Sequence, residues 1–433
     1  MSVNTSVDTS VELGKKKVTI VGGGFSGLTL AFELQQKGFQ VEVLEKKSWG
    51  GLIQTQFLPE MQVETAANAF LMSERLGDLA QAIGCELIAT QTIAKRRFIF
   101  RGMPRRWPLS LTSTFRILFR ILPVLILDRG RLAPKPMETV QAWALRVLNQ
   151  EMYEYLISPA LQGIYAGDVR ELSASLLFGY LFEKKKKRCR QSASAQKTKS
   201  LKGSVAPRNG MGEFIQKLRR TLEGRGVLLK VQEVHDLKEL DGPKVLAVPP
   251  PQLGSLLAAS YGDDLGWGRV PMLNLVRLTV GFRSPQKKVD GFGILFPESE
   301  KFNSLGVLAN SQIFENRGDL YNESWILGGA RSPEMSDLTD SRILELILED
   351  RARALGVRDE VSSFKVIRWP QGLTHYTVAH EKFLQDQKPL PKDVFLTGNF
   401  LGRLGLSKIL EQNAELAEKL LAEYGTLTRG IDK

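Results

Sequence analysis

The residues best suited to chemistry lie near the start of the chain. Gly22, Gly23, Gly24, Phe25, Ser26 and Gly27 form the pattern Gly-x-Gly-x-x-Gly. In such a turn the first glycine permits a tight bend, the second lets a phosphate approach the backbone, and the third lets helix and strand pack closely. A helix that begins there points free N–H groups and its positive dipole end at an anion. The pattern predicts a site for the pyrophosphate of a dinucleotide.

A carboxylate stands where a dinucleotide-binding unit needs one. Glu45 follows Gly27 by 18 residues, at the end of the next apolar run. A carboxylate in that place accepts hydrogen bonds from ribose hydroxyls and repels a 2′-phosphate. The turn and Glu45 by themselves leave NAD and FAD open.

Three elements must position these residues. Residues Lys17–Val21 are rich in β-branched side chains and predict a buried strand. Ser26–Lys37 carries apolar residues on one helical face, and Gly38 follows as a helix-ending glycine. Gln40–Leu44 repeats the strand pattern. Together they predict a strand–helix–strand unit.

The later elements alternate between helix and strand. Helical patterns occupy Val140–Leu156, Ser173–Phe182, Glu213–Glu223, Ser341–Leu355 and Leu406–Tyr424. Strand patterns occupy Val227–Leu229, Val245–Val248, Leu273–Phe282, Gly293–Phe296, Ser324–Gly328 and Val394–Leu396. This order predicts an α/β (mixed α+β) fold whose Rossmann-like nucleotide-binding domain is discontinuous.

Composition excludes several classes of protein. Two cysteines, Cys85 and Cys189, do not make a disulfide framework, and three histidines without metal-like spacing predict no metal site. The net charge of +12 includes nine basic residues in the loop 184–202. No aromatic stacking motif accompanies that loop, so we expect no nucleic acid, and anionic lipid or an anionic substrate stays open. The polar start of the chain lacks a secretory signal, which predicts a cytoplasmic protein.

One segment suits a membrane surface. Pro108–Arg131 is apolar except for its two ends and Arg116, Arg120 and Pro123. Such a pattern allows insertion into one leaflet with arginines at the head groups, or a buried helix of a helical subdomain. No stretch is long enough to span a bilayer.

A second glycine pair favours FAD over NAD. Gly50 and Gly51 follow the acidic strand end and precede a short apolar strand. This arrangement resembles the superfamily of FAD-containing amine oxidases and protoporphyrinogen oxidases, in which such a turn contacts the cofactor. The resemblance therefore implies FAD.

Blocks spread over nearly the whole chain resemble the oxygen-dependent protoporphyrinogen oxidase family in particular. They include residues 158–168, 209–212, 291–297, 328–331, 368–380 and 397–399. The chain departs from the family at Ala66-Ala67, where Gly-Pro is usual, and at Thr374-His375, where Pro-Gln is usual. It also departs at Ala379 and within 401–407. These changes put the substrate in question more than the fold or the cofactor.

The resemblance implies a set of site residues. Those expected to bind FAD are Gly22, Gly23, Gly24, Phe25, Ser26, Gly27, Glu45, Lys46, Gly50, Gly51, Ala67, Asn68, Val234, Trp369, Gly398, Asn399, Gly405, Leu406 and Ser407. Arg97 is expected to pair with a substrate carboxylate and Gly163 to line a pocket for a flat ring. No catalytic side chain is implied, because the flavin carries the chemistry.

The implied reaction is oxidation of protoporphyrinogen IX to protoporphyrin IX with molecular oxygen, in haem synthesis. The implied domains are an FAD-binding domain (15–90, 225–255, 392–433), a helical membrane-associating subdomain (91–202) and a substrate-binding domain (203–224, 256–391). The apolar product favours peripheral attachment to the cytoplasmic face of the inner membrane, and a homodimer stays open. Three alternatives remain: coproporphyrinogen oxidation, another amine-oxidase-like flavoenzyme, and a non-catalytic flavoprotein-fold module.

Overall fold

The computed structural model describes residues 17–116, 119, 129–182 and 201–425. The strands are, in chain order, β1 Lys17–Val21, β2 Gln40–Glu45, β3 Thr55–Leu58, β4 Met61–Glu64, β5 Phe70–Leu71, β6 Leu87–Ala89, β7 Phe98–Phe100, β8 Pro104–Arg105, β9 Ser204–Pro207, β10 Leu228–Val231, β11 Lys244–Leu246, β12 Met272–Phe282, β13 Gly293–Leu295, β14 Gly306–Leu308, β15 Tyr321–Gly328, β16 Ser363–Thr374 and β17 Val394–Leu396.

Besides the helical residues 111–116, the α-helices of five or more residues in the described part of the chain are α1 Phe25–Gln36, α2 Glu74–Ala82, α3 Val140–Val147, α4 Ser158–Tyr165, α5 Ala174–Phe178, α6 Met211–Gly224, α7 Pro250–Tyr261, α8 Asp340–Leu355, α9 Val378–Gln385 and α10 Leu406–Tyr424. The predicted bounds of β1, β17 and α10 agree with these. The predicted helices Val140–Leu156 and Ser173–Phe182 are shorter in the structure by nine and four residues at their ends, and the other predicted elements differ by one to three residues at an end.

A parallel five-stranded sheet positions the glycine turn. Its strand order is β10-β2-β1-β11-β17, so it draws on segments near residues 17–45, 228–246 and 394–396. Helix α1 packs on one face with α6 and α10, where Leu28, Ile409 and Phe214 share a core. The other face is covered by α7, through Leu253 and Leu257. The mixed fold with a discontinuous Rossmann-like sheet is confirmed.

A larger sheet forms the second layer of the molecule. Its order is β16-β12-β15-β14-β13-β7-β8, antiparallel except for the β13–β7 pair. The long strands β12 and β15 are buried along most of their length, and α8 packs Ile343 and Ile347 into their core. Strands β12 to β16 lie in the region expected to bind substrate, whereas β7 and β8 come from residues 91–202, which were expected to form a helical subdomain.

One segment packs differently from the predicted domains. Residues 203–224 were assigned to the substrate-binding domain, but Met211, Phe214 and Leu218 of α6 lie in the core that α1 also fills. Strand β9 pairs with β5 and β6. The physical reason is that α6 has one broad apolar face, which the nucleotide-binding layer buries. The other domain boundaries stay predictions.

The helical region 129–182 is more broken than its pattern indicated. The predicted helix Val140–Leu156 ends at Val147, and a new turn begins after Asn149, whose side chain accepts the N–H of Met152. A capping asparagine satisfies the backbone of a second helix and so divides the two. The turn then widens to a π-helix, Tyr153–Ile157, before α4.

The apolar segment Pro108–Arg131 is described only in part, since residues 117–118 and 120–128 lie outside the described residues. Residues 111–116 are helical, with Leu111, Phe115 and Phe119 exposed. In the described part of the chain, no helix is both long and apolar enough to cross a membrane. The chain start 1–16 and most of the basic loop, 183–200, also fall outside the described residues.

Candidate functional site

The predicted glycine turn joins β1 to α1. A Cβ on Gly27 would overlap the carbonyl oxygen of Gly22, so the third glycine is needed for close packing of helix and strand. A Cβ on Gly24, in contrast, would meet no protein atom within 4 Å. Gly24 is also the N-cap of α1, and no side chain caps the helix. The turn therefore leaves the backbone N–H groups and positive end of α1 open to an anion.

The carboxylate of Glu45 accepts hydrogen bonds from the backbone of the glycine turn and from its own strand end. Its Oε2 accepts the N–H of Gly23 at 2.7 Å, and its Oε1 accepts the N–H of Lys47 at 2.9 Å. Carboxylate oxygens each have a second lone pair, so ribose hydroxyls can still be bound. Lys46 forms an ion pair with Glu233. Val234, also predicted to bind FAD, lies two residues after Gln232, whose N–H donates to the carbonyl of Glu45.

The second glycine turn lies directly against the first. The N–H of Gly50 donates to the carbonyl of Gly23 at 2.8 Å, and Gly24 and Gly50 form a parallel bridge. Gly50 and Gly51 both have positive φ, at 97° and 57°, which favours glycine. The structure thus brings the two predicted turns together.

The predicted residues Gly398, Asn399, Gly405 and Ser407 lie between the end of β17 and the first turn of α10. Gly405 is the N-cap of α10, has a φ of 107°, and would place a Cβ within 4 Å of no protein atom. Ser407 bonds the carbonyl of Leu71. The carbonyl of Asn399, which follows Gly398, accepts the hydroxyl of Tyr376 at 2.8 Å. The start of α10 is therefore a second helix N-terminus without a side-chain cap, on a helix that packs against α1.

The Ala67–Asn68 segment is hydrogen-bonded to residues of the larger sheet, including Arg277 of β12 and Trp369 of β16. Trp369 donates its indole N–H to the carbonyl of Thr65 at 2.7 Å. Asn68 donates to Asn310 at 2.9 Å and accepts from Arg277 at 2.6 Å. The predicted residues Ala67, Asn68 and Trp369 thus belong to one contiguous structure.

Two buried polar side chains next to the predicted site residues were not predicted from the sequence. Asn413 on α10 donates to the carbonyl of Ser26 and the hydroxyl of Thr29, both at 2.8 Å, and locks α10 to α1. Arg277 on β12 is 4% exposed. Each lies among buried apolar neighbours in its element, and a buried polar group needs hydrogen-bond partners.

The predicted substrate residues both lie beside β13. Arg97 precedes β7, which pairs with β13, and its guanidinium lies 4.4 Å from the ring centroid of Phe292. Arg96 is held by Asp290, whereas Arg97 has no ion pair among the described residues. On α4, a Cβ at Gly163 would lie 2.5 Å from Leu295. Of these two neighbouring arginines, Arg96 is therefore paired with a carboxylate, and Arg97 is not paired among the described residues.

The fold and the site define a dinucleotide-binding protein with paired glycine turns. The family model for flavin containing amine oxidoreductases matches residues 25–404. The chain belongs to that family of flavin-containing oxidoreductases. FAD is its cofactor, and the open backbone at Gly24 and Gly405, with the carboxylate of Glu45, fits that dinucleotide.

Similar proteins are distant in sequence. A relative named protoporphyrinogen oxidase 2 of Arabidopsis thaliana is 24% identical and covers 94% of both chains. A coproporphyrinogen III oxidase of Bacillus subtilis is 21% identical over 92% of this chain and 96% of its own.

Two solved structures share the fold. One from Exiguobacterium sp. 255-15 has a TM-score of 0.74 at 19% identity, covering 95% of this chain and 99% of its own. Cyclohexylamine oxidase from Brevibacterium oxydans has a TM-score of 0.67 at 16% identity, covering 94% and 100%.

Proposed function

We propose that this flavoprotein oxidises protoporphyrinogen IX to protoporphyrin IX, with molecular oxygen as the final acceptor. When bound, FAD would supply the redox chemistry, in which each of three rounds would remove two electrons and two protons from the macrocycle and deliver them to oxygen as hydrogen peroxide. The protein binds and orients the macrocycle, and no side chain needs to act as a catalytic base. Relatives with this activity in their names support the proposal.

The observation that carries the proposal is the placement of Arg97 beside β13. Its guanidinium lies over Phe292 and has no carboxylate partner among the described residues, so its donors are free for a propionate. Phe292 and Leu295 offer apolar surface for a flat ring. Gly163, which lies against Leu295, adds no side chain to that surface.

A second candidate is oxidation of coproporphyrinogen III, because relatives in Bacillus subtilis and Staphylococcus aureus bear that name. Coproporphyrinogen carries four carboxylates, whereas protoporphyrinogen carries two. The larger charge would need cations beyond Arg97, and exposed Lys95 is a neighbour in sequence. Both substrates would use the same proposed surface beside Arg97, and they differ in the number of cations that their carboxylates require.

The deciding experiment mixes the FAD-loaded protein anaerobically with protoporphyrinogen IX. We expect the flavin absorbance near its visible maximum to bleach, and admission of air to restore it with fluorescent porphyrin. A parallel run with coproporphyrinogen III ranks the two by rate. No bleaching with either, in a protein that dithionite reduces normally, would overturn both proposals and favour a different flavoenzyme or a non-catalytic module.

We also propose that the protein attaches to one leaflet of the cytoplasmic membrane through the start of its apolar segment. Leu111, Phe115 and Phe119 are 74%, 57% and 76% exposed, and Trp107 and Met103 are exposed nearby. Large apolar side chains grouped on a surface favour an interface. An apolar porphyrin product could then pass from the protein directly into the acyl chains of the membrane.

A further inference from the structure

Arg277 is a buried, charged residue in the middle of β12, a strand that is buried along most of its length. On β12 it pairs in register with Ile326 of β15 and Ile367 of β16. Its guanidinium donates to the carbonyl of Ala66 at 2.6 Å and to Oδ1 of Asn68 at 2.6 Å. It also donates to the hydroxyl of Ser324 at 2.7 Å. Every one of these acceptors is neutral.

The charge of Arg277 is not neutralised by an ion pair. Neither Arg277 nor the nearby buried Arg317 has a carboxylate within 4.0 Å among the described residues; Arg317 donates to the carbonyls of Arg208 and Pro207. Glu64 is the acid that interacts with both arginines through space, and its oxygens accept bonds from neutral groups, Thr55 among them.

The buried cluster of Glu64, Arg277 and Arg317 is therefore net positive. Burial raises the pKa of the Glu64 carboxyl and lowers the pKa of Arg277 to about 10, so Arg277 stays charged at neutral pH. With Glu64 ionised the cluster carries one net positive charge, and with Glu64 protonated it carries two. A buried charge without a partner is costly, which makes an anionic neighbour the expected complement.

The segment to which Arg277 donates is expected, from the family resemblance, to contact the cofactor. Ala66 and Asn68, its acceptors, flank Ala67, and this stretch is assigned to the flavin by the family resemblance. Reduction of the flavin adds two electrons and one proton and leaves one negative charge on the ring. We propose that Arg277 stabilises the reduced flavin anion through its positive charge and so raises the reduction potential of the bound FAD.

The charge and the hydrogen bonds of Arg277 can be separated by substitution. Arg277→Lys keeps the charge and loses the forked donor geometry, whereas Arg277→Gln loses the charge and keeps an amide donor. Arg277→Met, which needs no partner in a buried place, is the second neutral variant. Arg283→Gln is the matched control, because Arg283 just beyond the same strand is exposed and paired with Glu60.

The test is a reductive titration of each FAD-loaded variant against a reference dye, without any porphyrinogen. We expect the neutral variants to shift the two-electron equilibrium toward oxidised flavin at least tenfold, about 30 mV. Arg277→Lys and Arg283→Gln should stay near the unmodified protein. Equal potentials in the lysine and neutral variants, or folded neutral variants that cannot hold FAD, would overturn the proposal. The inference rests on the family's FAD and not on the substrate, so its failure is distinct from failure of the proposed function.

Discussion

The N–H of Gly23 donates to the carboxylate of Glu45 at 2.7 Å, so the acid that was expected to bind ribose also fixes the phosphate turn. The two residues are 22 positions apart and lie on neighbouring strand ends. One side chain thereby couples the geometry of the predicted pyrophosphate site to that of the predicted ribose site.

Substitution Glu45→Ala should weaken FAD binding at least about tenfold, because hydrogen bonds to a charged group contribute roughly 1.5–3 kcal/mol. Fluorescence titration of the apoprotein with FAD measures the dissociation constant. Glu334→Ala, at an exposed acid elsewhere, is the control and should leave that constant unchanged. Equal affinities in both variants would contradict a role for Glu45.

Two glycines of the turn should fail in different ways when replaced by alanine. Gly24→Ala should leave the melting temperature of the apoprotein nearly unchanged, because the new Cβ meets no protein atom, yet the methyl group should block the pyrophosphate. Gly27→Ala should lower the melting temperature as well, because its Cβ overlaps the Gly22 carbonyl. Calorimetry and FAD content separate the two outcomes; an FAD-replete Gly24→Ala protein would argue against the site.

Substitution Arg97→Ala should raise the KM for the porphyrinogen about tenfold or more and leave the FAD content unchanged, because a charge-assisted hydrogen bond to a propionate is lost. Initial rates of porphyrin fluorescence give KM. Arg96→Ala is the matched control, since Arg96 is already paired with Asp290. Similar KM values for the two variants would remove Arg97 from the substrate site.

Glu151 should make stability depend on pH in the acid range. Although burial opposes it, hydrogen bonds from Arg101 and Ser110 lower the pKa of Glu151 to about 2. The folded pKa lies below the ordinary value of 4.5, so this stabilisation is complete above pH 4.5 and is lost as pH falls toward 2. Glu151→Gln should therefore lower the melting temperature at pH 7, with a gap to the unmodified protein that narrows below pH 4.5.

Thermal unfolding between pH 7 and pH 3 checks that prediction. Glu345→Gln serves as the control, because its pair with Arg342 is exposed and such pairs contribute little. A gap that stays constant or widens toward pH 3 would show that Glu151 stabilises the fold by some other route.

Substitution of Leu111 and Phe115 by aspartate should release the protein from membranes. Both side chains are exposed on the short helix 111–116, and a charge there opposes insertion among acyl chains. Co-flotation with vesicles of anionic phospholipid measures the bound fraction, which should fall several-fold. Phe57→Asp tests specificity, because Phe57 is 69% exposed on β3. If the double variant floats with the vesicles as well as the unmodified protein does, the proposed attachment through this segment is wrong.

Local patterns were sufficient to predict much of the nucleotide-binding layer. The β1–α1–β2 unit follows from β-branched runs, an amphipathic stretch and glycines in fixed places, all of which act over a few residues. Helix α10 was predicted at Leu406–Tyr424, and Ile409, Leu410, Ala417 and Leu420 are among the apolar residues that it buries. The two glycine turns were assigned to one cofactor, and their contact through Gly23 and Gly50 agrees with that.

The interactions that were not predicted depend on distant parts of the chain. Arg277 bonds residues more than 200 positions away, and no periodicity in β12 reveals which segment its guanidinium meets. Asn413 reaches Ser26 across 387 positions. The break after Val147 was missed because the capping by Asn149 competes with a helical pattern that continues on both sides.

The contact between Asn413 and Ser26 also sets an order of events during synthesis. The glycine turn leaves the ribosome early, but the helix that locks it, α10, is made almost 400 residues later. Strand β17, which completes the sheet, is equally late. During synthesis the phosphate-binding turn therefore precedes both elements, and its contact with Asn413 can form only after α10 has been made.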